Sequence, residues 1–344
     1  MKMIPGSMLL TALALGAPVQ AGEAPYEVVQ RLALGGDGGW DYPSVDPASH
    51  LLYLSRADHV AVVDTASGKE VGSIAGTPGV HGIALAPELN RGFISSGKAD
   101  QVKVFDLKSR AVLATVETGA NPDAILHEPV TRRVFAFNGR GHSATVIDAQ
   151  SNAVVETIPL GGKPEFARAD GRGGVLVNIE DTAELALLDA KTAKLVSRWK
   201  LPNCEEPSGL AYDPAHRRAF STCGNQLLAV TDVYSGKAVA SVPIGKGVDG
   251  AEFDPATQDV YSANGEGTLT VVHEQAPDQY VVKQTLPTQR GARTIALDPG
   301  THRLYLPTAE FGPAPAATAD NPHPRPAIVG GSFVVLVVSS APAK

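Results

Sequence analysis

Seven polar residues recur along the chain at nearly constant intervals: Asp41, His81, Asp123, Glu165, Ser208, Asp249 and Arg293, separated by 40, 42, 42, 43, 41 and 44 residues. Each lies six positions before the same turn, which carries a proline everywhere except at Gly171. Charged residues make up 19% of the sequence, yet five of these seven are charged and a sixth is histidine. One explanation is a shared site. The other is that loops leading into strands are often polar, with an acid there accepting a hydrogen bond from a neighbouring backbone N–H.

If the seven share one place, its chemistry is constrained. Four carboxylates brought together cannot all stay ionised unaided, because like charges in a low dielectric raise one another's pKa. Arg293 offers one positive charge, which leaves room for a cationic ligand or a divalent cation. Calcium suits a carboxylate set, so Asp41, Asp123, Glu165 and Asp249 are the candidate metal ligands. Zinc or copper would need more imidazole than His81 supplies. The same residues allow catalysis, with His81 or a carboxylate such as Asp123 or Glu165 as general base and Arg293 stabilising an oxyanion. A bound metal would then activate water or polarise a carbonyl. Ser208 reads as a ligand's hydrogen-bond partner rather than a nucleophile, since the sequence has no Gly-x-Ser-x-Gly, P-loop or His-Glu-x-x-His motif.

The elements that must position these residues follow from the repeat itself. Each unit of about forty-two residues reads as a Gly-rich loop, a strand, a turn such as Asp213-Pro214, a second strand, a loop, a third strand ending in Asp, and a fourth strand. The third strands include Val62-Val63-Asp64, Val104-Phe105-Asp106 and Val146-Ile147-Asp148. Four short strands at this period are the signature of a propeller blade, so the chain is predicted to be an all-β, seven-bladed β-propeller. Frequent turn formers, 35 Gly and 26 Pro, agree with an all-β reading. The last unit lacks a fourth strand, and the segment Tyr26 to Leu34 looks like a fourth strand without its blade. Pairing the two would close the ring.

Residues near the seven enlarge the candidate site. Trp40 has two roles open to it, stacking on a ligand ring or packing against blade one. Glu206 shares the loop of Ser208, and Arg56, Asn138 and Asn178 come from the connections between second and third strands, all read as candidate ligand contacts. Cys204 and Cys223 are the only cysteines. They read as a disulfide clamping the loop of blade five, with two independent thiols as the alternative. A Pro-rich insertion at 310–331 in blade seven is either a lid with His323 reaching in, or a solvated loop.

The N-terminus has the pattern of a secretory signal peptide over 1–21, ending Val19-Gln20-Ala21, so residues 22–344 are read as one propeller domain in the periplasm or secreted. No later stretch is apolar enough to span a bilayer. A monomer is expected. A net charge of −7 argues against non-specific binding to nucleic acid.

The loops Gly119-Ala120-Asn121-Pro122 and Gly161-Gly162-Lys163-Pro164 and the strand Thr145-Val146-Ile147-Asp148 resemble the YVTN repeats of YncE-like β-propellers over nearly the whole chain. The resemblance implies an exported propeller and allows single-stranded DNA binding. The residues themselves favour a periplasmic protein that holds a small polar or cationic ligand, with or without a divalent metal, in an acidic funnel. The alternative is a lactonase-like hydrolase or lyase using the same channel, and DNA binding is the third reading.

Overall fold

Short apolar runs between turn formers give antiparallel strands. The computed structural model describes residues 24–316 and 324–340 and arranges them as seven four-stranded sheets. Among the described residues the only helical element is the 3-10 turn Pro87–Leu89. The sheets are the seven blades of the propeller that the repeat predicted. Blade three, for example, runs Pro122–Glu128, Arg133–Asn138, Ser143–Asp148 and Val154–Pro159 in consecutive order. Blade seven instead combines Ala296–Asp298, Arg303–Thr308 and Val334–Ser340 with Tyr26–Ala33. Ala33 lies opposite Val334 and Tyr26 opposite Ser340, with one irregularity between Val28 and Gln30. The ring is therefore closed by a strand from the far end of the sequence.

The repeated aspartates have a local cause. Each ends a third strand and accepts a hydrogen bond from a backbone N–H three residues on: Ser67 to Asp64 at 2.6 Å, Ser109 to Asp106 at 2.7 Å, Ser151 to Asp148 at 2.7 Å. Those bonds hold the carboxyls below their usual range. They are turn builders, distinct from the ring acids.

Seven apolar clusters fill the spaces between neighbouring blades. Phe93 and Val104 of blade two meet Val134 and Ile147 of blade three, for instance, all fully buried. At the axis the first strands crowd together. A Cβ on Gly209 would lie 2.8 Å from the Gly250 carbonyl carbon, so glycine there lets blades five and six approach. Where larger side chains face the axis, Tyr42 and Phe166 pack edge to face with ring centroids 4.8 Å apart. Among the described residues no helix is long and apolar enough to cross a membrane. The signal-peptide segment and His323 lie outside the described residues.

Candidate functional site

The seven positions stand where each blade's chain swings from the rim to the axis. His81, Asp123, Glu165, Ser208 and Asp249 are each the second residue of a first strand. Two residues before the ring position the backbone is left-handed at Gly79, Asn121, Glu206, Gly247 and Gly291, with φ of 64°, 57°, 46°, 71° and 86°. That conformation favours glycine or asparagine, and Glu206 adopts it as an ordinary L-residue.

Hydrogen bonds then tie neighbouring ring positions together. Tyr42 N donates to His81 O (3.2 Å). Ser95 Oγ donates to Asp123 O (2.5 Å), and Thr294 Oγ1 donates to Asp41 O (3.0 Å). Asn178 Nδ2 donates to Ser208 O (3.0 Å), and Ser208 Oγ donates to Val248 O (3.1 Å). Ser208 thus spends its proton on a carbonyl, which does not suit a nucleophile.

Three groups of charge face one another across the mouth. His81 Nδ1 lies 2.7 Å from Asp41 Oδ2 and 3.5 Å from Asp123 Oδ1, and these three ligand atoms all fall within 4.8 Å of one another. Lys163 Nζ lies 2.7 Å from Glu165 Oε1 and also pairs with Glu180. Arg293 Nε lies 3.0 Å from Asp249 Oδ2. Of the four acids expected to share a metal, Asp41 and Asp123 gather with His81, while Glu165 and Asp249 are drawn to separate cations.

These cations do not neutralise the ring. Burial first, and then Asp123, push Glu165 up to about 8 despite Lys163. Burial raises Asp249 to about 7 against the pull of Arg293, and burial with Asp41 raises Asp123 to about 6. For His81 burial opposes the charged ring, but the hydrogen bond to Asp41 and the charges of Asp123, Asp41 and Glu165 outweigh it and raise the pKa to about 9. At that value His81 carries its proton at neutral pH, where it can donate a proton but not accept one. Among the described residues the buried Asp123 Oδ1 accepts no hydrogen bond.

A cavity of about 330 Å³ opens between blades four and seven, bounded by the acids Glu165, Glu180, Glu206 and Asp249, by Ser208, and by the cations Lys246 and Arg293. Tyr42 is the ring residue that sequence reasoning passed over. Burial, followed by the charges of Asp249, Asp123, Asp41 and Glu165, holds its phenol well above the usual range, so it is a neutral group among four acids. Its only signal was its place directly after Asp41. Deeper in the channel Arg168 spans to Glu252 at 2.8 Å.

Three expected ligand contacts sit elsewhere, because they lie at the ends of second strands, Arg56 and Asn138 as last residues and Asn178 as the last but one, rather than in loops. Arg56 is 4% exposed. It donates to Gly35 O and Asp37 O while its guanidinium lies 3.7 Å from the Phe333 ring centroid. Asn138 is fully buried and donates to Ser143 and Thr145 inside blade three. Asn178, also fully buried, bridges blades four and five and accepts from Ser221. All three position the loops.

Cys204 and Cys223 form a disulfide that joins the loop of blade five to the end of its second strand. Trp40 packs against Phe333 and Phe311, with centroids 5.5 and 6.0 Å away, and also borders a pocket beside the insertion. A second group, Asp213, His216 and Glu274, gathers within 4.8 Å at the opposite end of the blades. There Asp213 accepts the turn N–H groups of Ala215 and His216.

No protein-family model matches the chain, and no curated protein matches it. Among solved structures it is similar to a chain of hydrazine synthase from Kuenenia stuttgartiensis. The TM-score is 0.69 and the identity 15%, covering 86% of this chain and 96% of that one. At that identity the likeness shows the propeller fold alone, and a fold of this kind hosts unrelated functions.

Proposed function

We propose that the protein binds a small organic cation at the mouth of its central channel, against Glu165, Asp249, Glu180 and Glu206. One observation carries this reading: Glu165 and Asp249 border a single cavity while held near or above neutral pKa. A carboxylate buried without enough positive charge keeps its proton until a cation replaces it. An ammonium or guanidinium with several donors suits acids spread around a cavity. Ser208 supplies a neutral polar neighbour.

A divalent cation is the second reading, favoured by the gathering of Asp41, His81 and Asp123. His81 must lose its proton for this, so calcium would engage the two aspartates first. A hydrolase or lyase reading keeps one support, the availability of Glu165 as an acid or base near neutral pH. DNA binding draws nothing from this mouth, where phosphates would meet carboxylates. The disulfide and the N-terminal pattern support an exported protein, and the repeat motifs support membership of the YVTN-type, YncE-like propellers.

Thermal melts at pH 7.5 with millimolar 1,4-diaminobutane or calcium test the reading. The diamine is expected to raise the melting temperature of the native chain and leave Glu165→Gln/Asp249→Asn unmoved. Equal responses in both proteins would overturn it.

A further inference from the structure

Beside the acidic mouth lies a pocket of opposite character, about 440 Å³, between the blade-seven insertion and the loops of blades one and six. Trp40, Phe311 and Ile328 give it apolar walls, and Arg290, Arg293 and Arg325 give it three guanidinium groups. Among the described residues no carboxylate borders it, in a chain whose net charge is −7. Arg293 is shared with Asp249 of the ring. Arg290 lies with its guanidinium 5.7 Å from the Phe311 ring centroid. Among the described residues neither Arg290 nor Arg325 forms an ion pair.

The pocket is built rather than incidental. Phe311 pairs with Ile328 in a short antiparallel bridge, Gly312 N donates to Ala327 O at 2.9 Å, and Val329 N donates to Glu310 O at 2.9 Å. These bonds hold both flanks of the insertion at the pocket's edge. Gly291, at φ 86°, has Phe311 so close that a Cβ would lie 2.5 Å from the ring, so glycine is what admits the aromatic wall there.

We propose that this pocket binds a small organic anion, one carboxylate or phosphate carried on an aromatic or similarly flat apolar body. Guanidinium groups match both anions with paired hydrogen bonds. Arg290 and Arg325, without an acid partner among the described residues, add positive charge beside Arg293, and an anion relieves the repulsion. Trp40 and Phe311 offer ring faces for the apolar body, and the volume suits a small molecule. Gly247 and Arg293 border both this pocket and the acidic cavity, but the inference stands whether or not the mouth binds a cation.

The chain has two tryptophans, so Trp199→Phe leaves Trp40 as the sole fluorescent reporter in the pocket. In that background, phenyl phosphate and benzoate are titrated with inorganic phosphate and benzylammonium as controls, and calorimetry on the native chain repeats each titration. Saturable binding of phenyl phosphate or benzoate is expected, tighter than inorganic phosphate. It should weaken about tenfold or more in Arg290→Gln/Arg325→Gln. Arg325→Ala alone, at the exposed rim, guards against misfolding and should weaken binding in the same direction. No binding by either aryl anion, binding unchanged in the variants, or equal binding of benzylammonium would overturn the proposal.

Discussion

Replacing Lys163 with methionine isolates the charge that keeps Glu165 partly ionised. In the native chain Glu165 titrates at about 8 rather than its ordinary 4.5, so at pH 7.5 it is roughly three-quarters protonated. The Lys163 ammonium lies 2.7 Å away, and an opposite charge at such range lowers a carboxyl's pKa by about 1–3 units. Lys163→Met is therefore expected to move the Glu165 midpoint up to about 9–11. The sign for stability follows. A carboxyl whose folded pKa is raised stabilises the fold fully below its unfolded value and loses that contribution as pH rises through the folded value. The loss should run between pH of about 4.5 and 8 in the native chain and extend to about 9–11 in the variant. Carbon-13 NMR of labelled glutamate carboxyls, assigned with Glu165→Gln, reads both midpoints. A native midpoint near 4.5, or no rise in Lys163→Met, would refute the reasoning.

Three further outcomes are expected. Reducing the Cys204–Cys223 bond, which spans 19 residues, should cost about 3 kcal/mol in urea denaturation; an unchanged midpoint would mean the loop is held by packing alone. A chain beginning at Gly35 lacks the closing strand Tyr26–Ala33 and should lose its single cooperative melt, whereas a native-like melt would show that the ring does not need closing. Asn178→Ala removes the partner of Ser208 O and Ser221 Oγ and leaves Gly209 O only the Thr222 hydroxyl. It should destabilise by about 1–3 kcal/mol in the same urea assay, and a neutral result would count against its role in holding the ring.

Much of this architecture was legible in the sequence because turn chemistry fixes register. A proline six residues after Asp41, His81 and Asp123 counts out equivalent positions without knowledge of any contact, and the strandless end of the last unit pointed to Tyr26. Side-chain direction was less legible. Spacing reads Arg56, Asn138 and Asn178 as loop residues, but each second strand extends as far as them, and strand geometry then fixes their side chains in the interior. The pairing of Lys163 with Glu165 depends on two residues of one loop folding back, which spacing suggests only weakly. Arg290 and Arg325 belong to no repeat motif. Their meeting depends on how the insertion returns past Phe311, a tertiary fact with no local signal. Tyr42 was hidden for another reason, since a tyrosine beside an acid is ordinary until three other blades bring Asp123, Glu165 and Asp249 to it.

A channel mouth that takes up a cation against protonated Glu165 and Asp249 must give up protons in exchange. Isothermal titration calorimetry of 1,4-diaminobutane at pH 7.0, in two buffers of different ionisation enthalpy, measures that exchange directly. With Glu165 at about 8 and Asp249 at about 7, binding should release about one to two protons per molecule, tighten as pH rises toward 8, and lose both features in Glu165→Gln/Asp249→Asn. Binding with no proton release, or binding that the double variant leaves intact, would contradict the account.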